Sequence, residues 1–454
     1  METKRSFMHN SRRSFLTNAS LLAAGNLLGF RPFGMLNALA QSASDYKALV
    51  CVFMFGGNDA NNMLIPFDTN GYTNYASIRG PLALAQNSLL PLGPQATFAL
   101  HPSMPEIQAL YNSGNAAFLA NVGTLLSPTT KAQYQANQVV QPSNLFSHPD
   151  QQLEWQNQMN SSAGSTGWAG RVADKLSTQY NPGALVPMIA SISGDTLFCN
   201  GTGTSPVSVG GGGPGAPNCS DHSYCTSRQA AAQQLANMSS GVTIVQEDNS
   251  ITNNAFTYNT VLSDALKSAT PLATVFPTTT PFGSQLSEVA KLIQVRAALG
   301  VKRQIFFVGA GNFDTHSTQL TLQANLLAEI SPALGAFYQA LQEMGLTNSV
   351  TAFTCSDFAR TFQPNSADGS DHAWGSHHMI VGGAVKGGSI YGTFPTQVLG
   401  GPDDVGNNGR WIPSTSSAQY AATLAQWFGL APGDLAYVLP YIGNFSSNNL
   451  GFLG

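Results

Sequence analysis

The pattern of apolar positions predicts alternating strands and helices, most clearly in the last third of the chain. Residues 303–311, 349–355 and 378–385 are apolar runs of strand length, and a helical pattern over 319–345 separates the first two. A continuous apolar run indicates a strand buried on both faces, as in a parallel sheet. Strands that alternate with helices therefore predict parallel pairing, with helices covering both faces of the sheet.

Earlier segments repeat this pattern. Further strand-like runs occupy 48–55 and 115–123, and helical patterns occupy 105–113, 150–160, 228–240, 284–299 and 419–430. The stretch from about 165 to 300 contains a Gly-rich part, 200–221, of the kind that forms surface loops. We predict one α/β domain over residues 45–454, a three-layer αβα sandwich with a mainly parallel sheet. A helical and loop-rich insertion should span about 165–300.

The composition narrows the class of protein and its partners. Apolar residues make up 43% of the chain and charged residues only 9%, which indicates a globular protein with many uncharged polar loops. The formal net charge is −4, and no basic run follows the N-terminus. Nucleic acid is therefore not expected as a partner, since nucleic-acid binding proteins present clustered basic side chains.

The N-terminus predicts export. Arg12 and Arg13 precede Phe15-Leu16 and a mildly apolar stretch, and the small-residue sequence Ala38-Leu39-Ala40 follows. These parts, in this order, indicate a signal peptide of the twin-arginine type over residues 1–40. The expected partner is the twin-arginine export machinery, and the expected location is periplasmic or secreted. Arg31 interrupts the apolar stretch, so we expect no permanent membrane span.

The cysteines divide into two groups. Cys51 and Cys355 lie in apolar runs and are expected to be buried. Cys199, Cys219 and Cys225 fall in one polar region, where an oxidising compartment would permit a disulfide, Cys219–Cys225 being the shortest option. A zinc site there lacks paired C-x-x-C spacing and is the less favoured alternative.

Polar side chains follow three of the predicted strands directly. The candidates are Asp59 after the first strand, Asp314 and His316 after the run 303–311, Asp357 and Arg360 after the run 349–355, and Asp371, His372, His377 and His378 before the last strand. The carboxyl ends of parallel strands meet at one edge of the sheet, where ligands bind in α/β folds. Aspartate and histidine are ligand types for a divalent ion. The sequence therefore predicts a divalent metal site, with Zn, Mn, Mg or Ca as the candidate ions.

Each of these residues also has a structural interpretation. The aspartates could each cap a following helix, and His316 could be a hydrogen-bonded, half-buried side chain. Arg360 could bind a substrate anion, as could Lys386, or it could pair with Asp357. The concentration of these side chains at consecutive strand ends favours the metal site over the separate explanations.

Five stretches resemble a known bacterial family. "FGGNDANNMLIPFD", "FDTHSTQ", "SDFART", "DHAWGSHH" and "GGAVKGG" are similar to the twin-arginine-exported family called domain of unknown function 1501. That family is regarded as a relative of the alkaline phosphatase and sulfatase superfamily. The resemblance implies an alkaline-phosphatase-like fold, and it extends from Arg12 to the "WFGL" at 427–430.

The resemblance also implies roles for individual residues. The implied metal ligands are Asp59 for a first ion, Asp314 and His316 for a second, Asp357, and His372, with His377 and His378 as rivals for the last position. Phe358 stands where the superfamily usually has histidine, which removes one ligand of the first ion.

The resemblance requires a nucleophile near a helix start. Ser147 precedes a predicted helix, where it could be the nucleophile or only the helix cap. Ser127, Thr129 and Thr130 are weaker candidates. No cysteine lies in a formylglycine-forming sequence, so a formylglycine sulfatase is disfavoured.

Two functions follow as hypotheses. The first is an exported, metal-dependent hydrolase of small phosphate or sulfate esters. The alternative is a non-catalytic secreted binding or scaffold protein that retains the fold.

Overall fold

Strand β1, Lys47–Met54, occupies the centre of the main sheet, and its two faces build two separate cores. Val50 and Val52 pack on one face, whereas Leu49 and Cys51 pack on the other. Successive side chains of a strand point to opposite faces, so a strand with apolar residues at every position must be covered on both sides. The apolar run near residue 50 thus specifies a central strand of a layered fold.

A computed structural model describes residues 45–160, 164–210, 224–239 and 241–454. The predicted signal peptide, residues 1–40, and the second half of the Gly-rich segment, residues 211–221, lie outside the described residues. After β1, the strands are β2 Leu64–Pro66, β3 Leu90–Pro91, β4 Phe98–Leu100, β5 Ala116–Gly123, β6 Ile189–Ser191, β7 Val207–Ser208, β8 Arg303–Ala310, β9 Val350–Ser356, β10 Ser376–Val381, β11 Ile390–Gly392 and β12 Thr415–Ser416.

The main sheet in the described part of the chain has nine strands in the order β11-β5-β10-β9-β1-β8-β6-β7, with β12 also paired to β5. Strand β1 pairs in parallel with both β8 and β9. Their carboxyl ends therefore lie side by side, as the sequence predicted. Strands β2, β4 and β3 form a small antiparallel sheet.

Strand β10 departs from the expected parallel order. It pairs antiparallel with both β5 and β9. Residues 357–375 connect β9 to β10 through turns rather than through a crossover helix, and only a parallel pair requires a crossover. The reversal places the beginning of β10 at the edge where β1, β8 and β9 end, so the residues that precede β10 still reach this edge.

Helices cover both faces of the sheet and complete the predicted three-layer αβα sandwich. They are α1 Thr69–Arg79, α2 Pro105–Asn112, α3 Lys131–Gln135, α4 His148–Asn157, α5 Trp168–Tyr180, α6 Cys225–Ala236, α7 Thr243–Lys267, α8 Pro281–Gln294, α9 Gln319–Glu343, α10 Ser417–Phe428 and α11 Leu435–Val438. Apolar residues of α2, α8 and α9 pack in the core on one face of the sheet, and those of α5, α10 and α11 pack on the other. None of the described helices is both long and apolar enough to cross a membrane.

The segment from about 165 to 300 is helical for much of its length, but it also extends the sheet. Strands β6 and β7 are three and two residues long, and they add to the sheet beside β8. Such short runs carry too few residues for a recognisable alternation. Helix α5 packs directly on the sheet.

Three cysteines are free and buried in the described structure. Cys51 and Cys355 lie in central strands as predicted, but Cys199 is also buried rather than exposed in a polar loop. Cys219 lies outside the described residues, so the predicted Cys219–Cys225 pair stays a prediction.

Candidate metal centre

The candidate centre lies where strands β9, β1 and β8 end side by side. The backbone N–H of Gly56, just after β1, donates to Oδ1 of Asp357 after β9, at 3.2 Å. Gly56 has a φ of +113°, and a Cβ there would lie 2.4 Å from the backbone nitrogen of Asp314. Glycine is therefore required at this position, because any side chain would separate the ends of β1 and β8.

Asp314 is the common neighbour of three histidines. Its Oδ1 lies 3.4 Å from Nε2 of His148, 3.4 Å from Nε2 of His372 and 3.1 Å from Nε2 of His316. Ligands of a tetrahedral zinc ion lie about 3.4 Å apart, given metal–ligand distances near 2.1 Å. Ligand atoms of His148, Asp314 and His372 all lie within 4.8 Å of one another, so one ion could contact all three.

Each of these imidazoles is anchored through its other nitrogen. The anchors are Oδ2 of Asp357 for His148 at 2.7 Å, the carbonyl oxygen of Phe146 for His372 at 2.7 Å, and Oδ1 of Asp371 for His316 at 3.3 Å. An imidazole that donates from Nδ1 presents the lone pair of Nε2, which is the usual arrangement of a metal-binding histidine. Nε2 of His148 is buried and has no hydrogen-bond partner among the described residues.

Local electrostatics favour an anionic aspartate among these rings. Burial acts to raise the pKa of Asp314, but the hydrogen bond and charge of Arg360 outweigh it, and the pKa is lowered overall. The hydrogen bond to Asp357 raises the pKa of His148. Burial lowers the pKa of His372, which favours the neutral form of that imidazole.

The predicted ligand Asp357 lies behind His148 rather than beside Asp314. Its Oδ2 accepts from His148 and from Nε2 of Gln152, the latter at 2.8 Å, while Oδ1 accepts from the backbone. Asp357 is fully buried. Both of its oxygens are thus occupied, and Asp357 orients His148 instead of facing the space between the three imidazoles.

The predicted ligand Asp59 belongs to a different, closed environment. The sequence offered no basic partner nearby, but the fold pairs its carboxylate with the guanidinium of Arg79, twenty residues along the chain. Its Oδ2 also accepts from Nε2 of Gln319, and its Oδ1 accepts from the backbone of Asn61 at 3.1 Å. The Asp59–Arg79 pair is buried and explains the buried carboxylate without an ion, so the structure does not bring Asp59 into the histidine cluster.

The structure also changes the role expected for Arg360. Its side chain is fully buried, and it donates to the carbonyl oxygens of Gly56, Gly57, Phe313 and Ser370, to the carboxylate of Asp314 and, at 3.4 Å, to Nε2 of His316. No part of this guanidinium is left for a substrate anion. Its ion-pair partner is Asp314, not Asp357 as the alternative interpretation had it.

His377 and His378 lie inside the sheet, away from the cluster. The ring of His378 is buried between Trp155 and Tyr420, and neither of its nitrogens has a hydrogen-bond partner among the described residues. Nδ1 of His377 accepts from the backbone of Asn121. Of the three rival histidines, only His372 reaches Asp314, because it precedes β10 instead of lying within it.

Phe358 forms one wall of the centre. Its ring centroid lies 4.7 Å from that of His148 and 4.5 Å from that of His372. The residue that stands in place of the superfamily's usual histidine therefore packs against two candidate ligands and excludes water from one side of them.

Ser147 is the residue just before helix α4, and its hydroxyl makes no hydrogen bond to the histidines. Its hydroxyl donates to Oδ2 of Asp150 at 2.5 Å, and it makes no hydrogen bond to the helix backbone. The side chain that α4 delivers to the centre is the next residue, His148.

Sequence reasoning named Asp371 beside His372 but assigned neither His148 nor Gln152 to the site. His148 follows Ser147 at the start of a predicted helix, which was the available signal. Its relevance depends on helix α4 beginning at the sheet edge where β8 and β9 end, and a residue 166 positions before Asp314 gives no local hint of that proximity.

Solved structures to which this chain is similar include a sulfatase and a protein in the alkaline phosphatase superfamily. The PsFucS1 sulfatase from Pseudoalteromonas sp. has 11% identity and a TM-score of 0.36, covering 90% of this chain and 76% of its own. Ps i-CgsB in complex with k-i-k-neocarrahexaose has 10% identity and a TM-score of 0.35, covering 88% and 77%. A protein in the alkaline phosphatase superfamily from Vibrio parahaemolyticus has 10% identity and a TM-score of 0.29, covering 87% and 74%. These TM-scores are below 0.5, so the likeness assigns no activity to this chain.

The comparison of sequences identifies the family of this chain. No curated protein matches the chain significantly. Residues 46–405 match the family described as protein of unknown function (DUF1501), and the chain belongs to that family, as its motifs predicted.

Proposed function

We propose that this protein is a metal-dependent hydrolase of phosphate or sulfate esters, with His148, Asp314 and His372 as metal ligands and His316 beside them. The observation that carries the proposal is the shared orientation of the histidines. Three imidazoles, each anchored through Nδ1, present Nε2 to one aspartate. Histidine nitrogens with a carboxylate oxygen are a donor set that suits Zn, Fe or Mn.

The close approach of two histidine nitrogens favours a cation between the rings. Nε2 of His316 and Nε2 of His372 lie only 2.9 Å apart, and both rings are anchored through Nδ1. Two lone pairs facing each other at this distance repel unless a proton or a cation lies near them, and Nη1 of Arg360, 3.4 Å from Nε2 of His316, supplies part of that positive charge. A divalent ion held here would polarise an ester oxygen and increase the acidity of a water molecule.

The charges of the centre are suited to an anionic substrate once a cation is present. Asp314, Asp357 and Asp371 contribute three carboxylates, and the buried guanidinium of Arg360 offsets one of them. A divalent cation would offset this excess, so that an ester carrying negative charge could approach without net repulsion. The phosphate and sulfate classes come from the resemblance to the superfamily.

The remaining side chains have positioning roles in this proposal. Gln152 and the backbone of Gly56 hold Asp357, which in turn holds His148. Phe358 covers the two imidazoles of His148 and His372 on one side. A rigid ring orientation matters because the affinity of a site for its metal depends on ligands that are already directed at it.

Metal analysis with an ester screen tests the proposal. We expect the purified protein to retain a divalent ion and to hydrolyse an aryl phosphate, diester or sulfate when Zn, Mn, Mg or Ca is supplied. His148→Ala and His372→Ala should lose the ion and the activity. His378→Phe is the matched control, because that histidine is buried outside the cluster. Absence of metal binding by the wild-type protein, or full binding by both alanine variants, would overturn the proposal.

One observation favours the second function, a binding or scaffold protein. The hydroxyl of Ser147 is engaged by Asp150, which leaves the expected nucleophile without a contact to the histidines. Retention of the ion together with no turnover of any ester in the screen would support this alternative.

We also propose that the protein is exported by the twin-arginine route to the periplasm or beyond. The proposal rests on the sequence of residues 1–40. Replacement of Arg12 and Arg13 by lysines should retain the protein in the cytoplasm, as measured by cell fractionation. Unchanged export of the double-lysine variant would show that another route is used.

A further inference from the structure

We propose that Arg410 binds the anionic group of the ester at the rim of the metal centre, an inference that rests on the hydrolase function proposed above. The guanidinium expected to do this from sequence, that of Arg360, is fully occupied by protein oxygens. Arg410 follows a glycine-rich loop, and the structure places its side chain against His372 and against Phe146, which holds the ring of His372.

Two contacts hold Arg410 beside the centre. Its Nε donates to the carbonyl oxygen of His372 at 2.8 Å. Its guanidinium lies over the ring of Phe146, with 4.4 Å between Cζ and the ring centroid. The carbonyl oxygen of Phe146 accepts from Nδ1 of His372. Arg410, Phe146 and His372 are therefore joined into one wall of the site.

The terminal nitrogens of Arg410 remain available for a ligand. Within the described residues, Nη1 and Nη2 make no hydrogen bond or ion pair, and the side chain is half-buried. The contrast with Arg79 and Arg360 is clear, since both are fully buried and donate from their terminal nitrogens to protein oxygens. Arg410 is thus a cation next to the centre, and its terminal N–H groups have no protein partner among the described residues.

The carboxylate of Asp404 fixes the backbone of the loop that ends at Arg410. Asp404 is fully buried, and its Oδ1 accepts from the backbone N–H groups of Gly406 and Arg410 at 3.1 and 3.0 Å. Its Oδ2 accepts from Gly400 and Gly409 at 2.9 and 3.0 Å. This carboxylate holds the loop closed, so the backbone that carries Arg410 is fixed before any ligand arrives.

This arrangement suits a tetrahedral oxyanion. The two terminal nitrogens of a guanidinium form a planar fork that can donate to two oxygens of one phosphate or sulfate group. A guanidinium that is already held at Nε and stacked on an aromatic ring loses little freedom on binding. Phosphate and sulfate share this chemistry, and the two can be separated only by experiment.

Binding of inorganic anions gives the most direct test. We would titrate the full-length, metal-containing protein with inorganic phosphate and, separately, with sulfate by isothermal titration calorimetry. Arg410→Gln should weaken binding of the preferred anion by about tenfold or more, the effect expected for loss of a charged hydrogen-bond donor. Arg410→Lys should recover part of that loss, because it restores charge without the fork. Arg228→Gln, which changes an exposed arginine of helix α6, is the control and should bind as the wild type does.

Metal content separates this inference from the function on which it rests. Arg410→Gln should keep the wild-type content of divalent ion, since His372 retains its bond to Phe146. Wild-type anion affinity in Arg410→Gln, or no binding of either anion by the wild-type protein at about 10 mM, would overturn the role of Arg410. In that case, retention of the ion by the wild-type protein would leave the metal centre itself standing. Loss of the ion in Arg410→Gln would instead identify a structural role for this side chain.

Discussion

Asp59 and Asp314 follow neighbouring strands of one sheet, yet the fold uses them in opposite ways. Asp59 is fully buried, with Arg79 and Gln319 against its carboxylate. Asp314 also has an arginine partner, Arg360, but 47% of its side chain is exposed and three imidazoles surround it. The first is a closed ion pair, buried within the protein. The second is an open cluster, partly exposed, in which ligand atoms remain available to a cation.

The difference shows what distinguishes a structural carboxylate from a ligand at the edge of an α/β sheet. A buried carboxylate requires compensation, and an arginine provides it most directly. Around Asp59 the compensation is complete. Around Asp314 the arginine and the three Nε2 atoms all meet at Oδ1, whereas Oδ2 makes no hydrogen bond or ion pair within the described residues, so the carboxylate could still bind a cation. Exposure and the direction of neighbouring donors decide the role, not the residue type.

The largest expected effect is on the closed pair. Arg79→Met should lower the free energy of unfolding by about 3–5 kcal/mol, because it leaves the Asp59 carboxylate buried without a partner. The measurement is urea denaturation at neutral pH. The double variant with Asp59→Asn should be more stable than Arg79→Met alone.

An exposed ion pair provides the control for that experiment. Lys267→Met removes a partner of Asp264, and both side chains are mostly exposed. Its cost should be below about 1 kcal/mol. Equal costs for Arg79→Met and Lys267→Met would mean that the Asp59 pair is not closed as described.

The open cluster should respond in metal affinity instead. Asp357→Asn should weaken metal binding by about 10- to 100-fold, since it removes the carboxylate that orients His148. Competition with a chromogenic chelator would measure the affinity. Gln152→Leu should have a smaller effect in the same direction, and unchanged affinity in Asp357→Asn would show that the orientation of His148 does not depend on it.

The buried histidines should make the protein sensitive to acid. Burial lowers the pKa of His378 from 6.5 to about 3 in the folded state. At pH values between about 3 and 6.5, His378 binds a proton in the unfolded chain but not in the folded chain. The free energy of unfolding therefore falls as the pH decreases from about 6.5 toward 3. The slope for one such histidine is about 1.4 kcal/mol per pH unit. His378→Phe should flatten the curve of unfolding free energy against pH in this window and leave it unchanged above pH 7.

Ser147 should give the smallest effect. Its hydroxyl is bonded to Asp150, so Ser147→Ala should leave the metal content unchanged and cost less than about 1 kcal/mol of stability. Ester hydrolysis, if found, should persist in this variant. A loss of turnover by several orders of magnitude with the ion retained would instead make Ser147 the nucleophile.

The sequence by itself determined the layers of the fold and the edge at which the site lies. Apolar runs such as that of β1 specify strands that must be covered on both faces, and the glycines and aspartates that follow them mark the edge where those strands end. These features are local, because periodicity and turn chemistry act over a few residues. Asp314, His316 and His372 were found for that reason.

Only the tertiary structure decided which polar residues meet. Arg79 pairs with Asp59 because helix α1 returns to the end of β1, and His148 reaches Asp314 because α4 begins at the same edge. Arg360 turns inward and Arg410 outward through contacts with residues distant in the sequence. A carboxylate has the same local sequence pattern whether an arginine or an ion compensates it. The choice depends on which donor the fold delivers within about 3 Å of its oxygens.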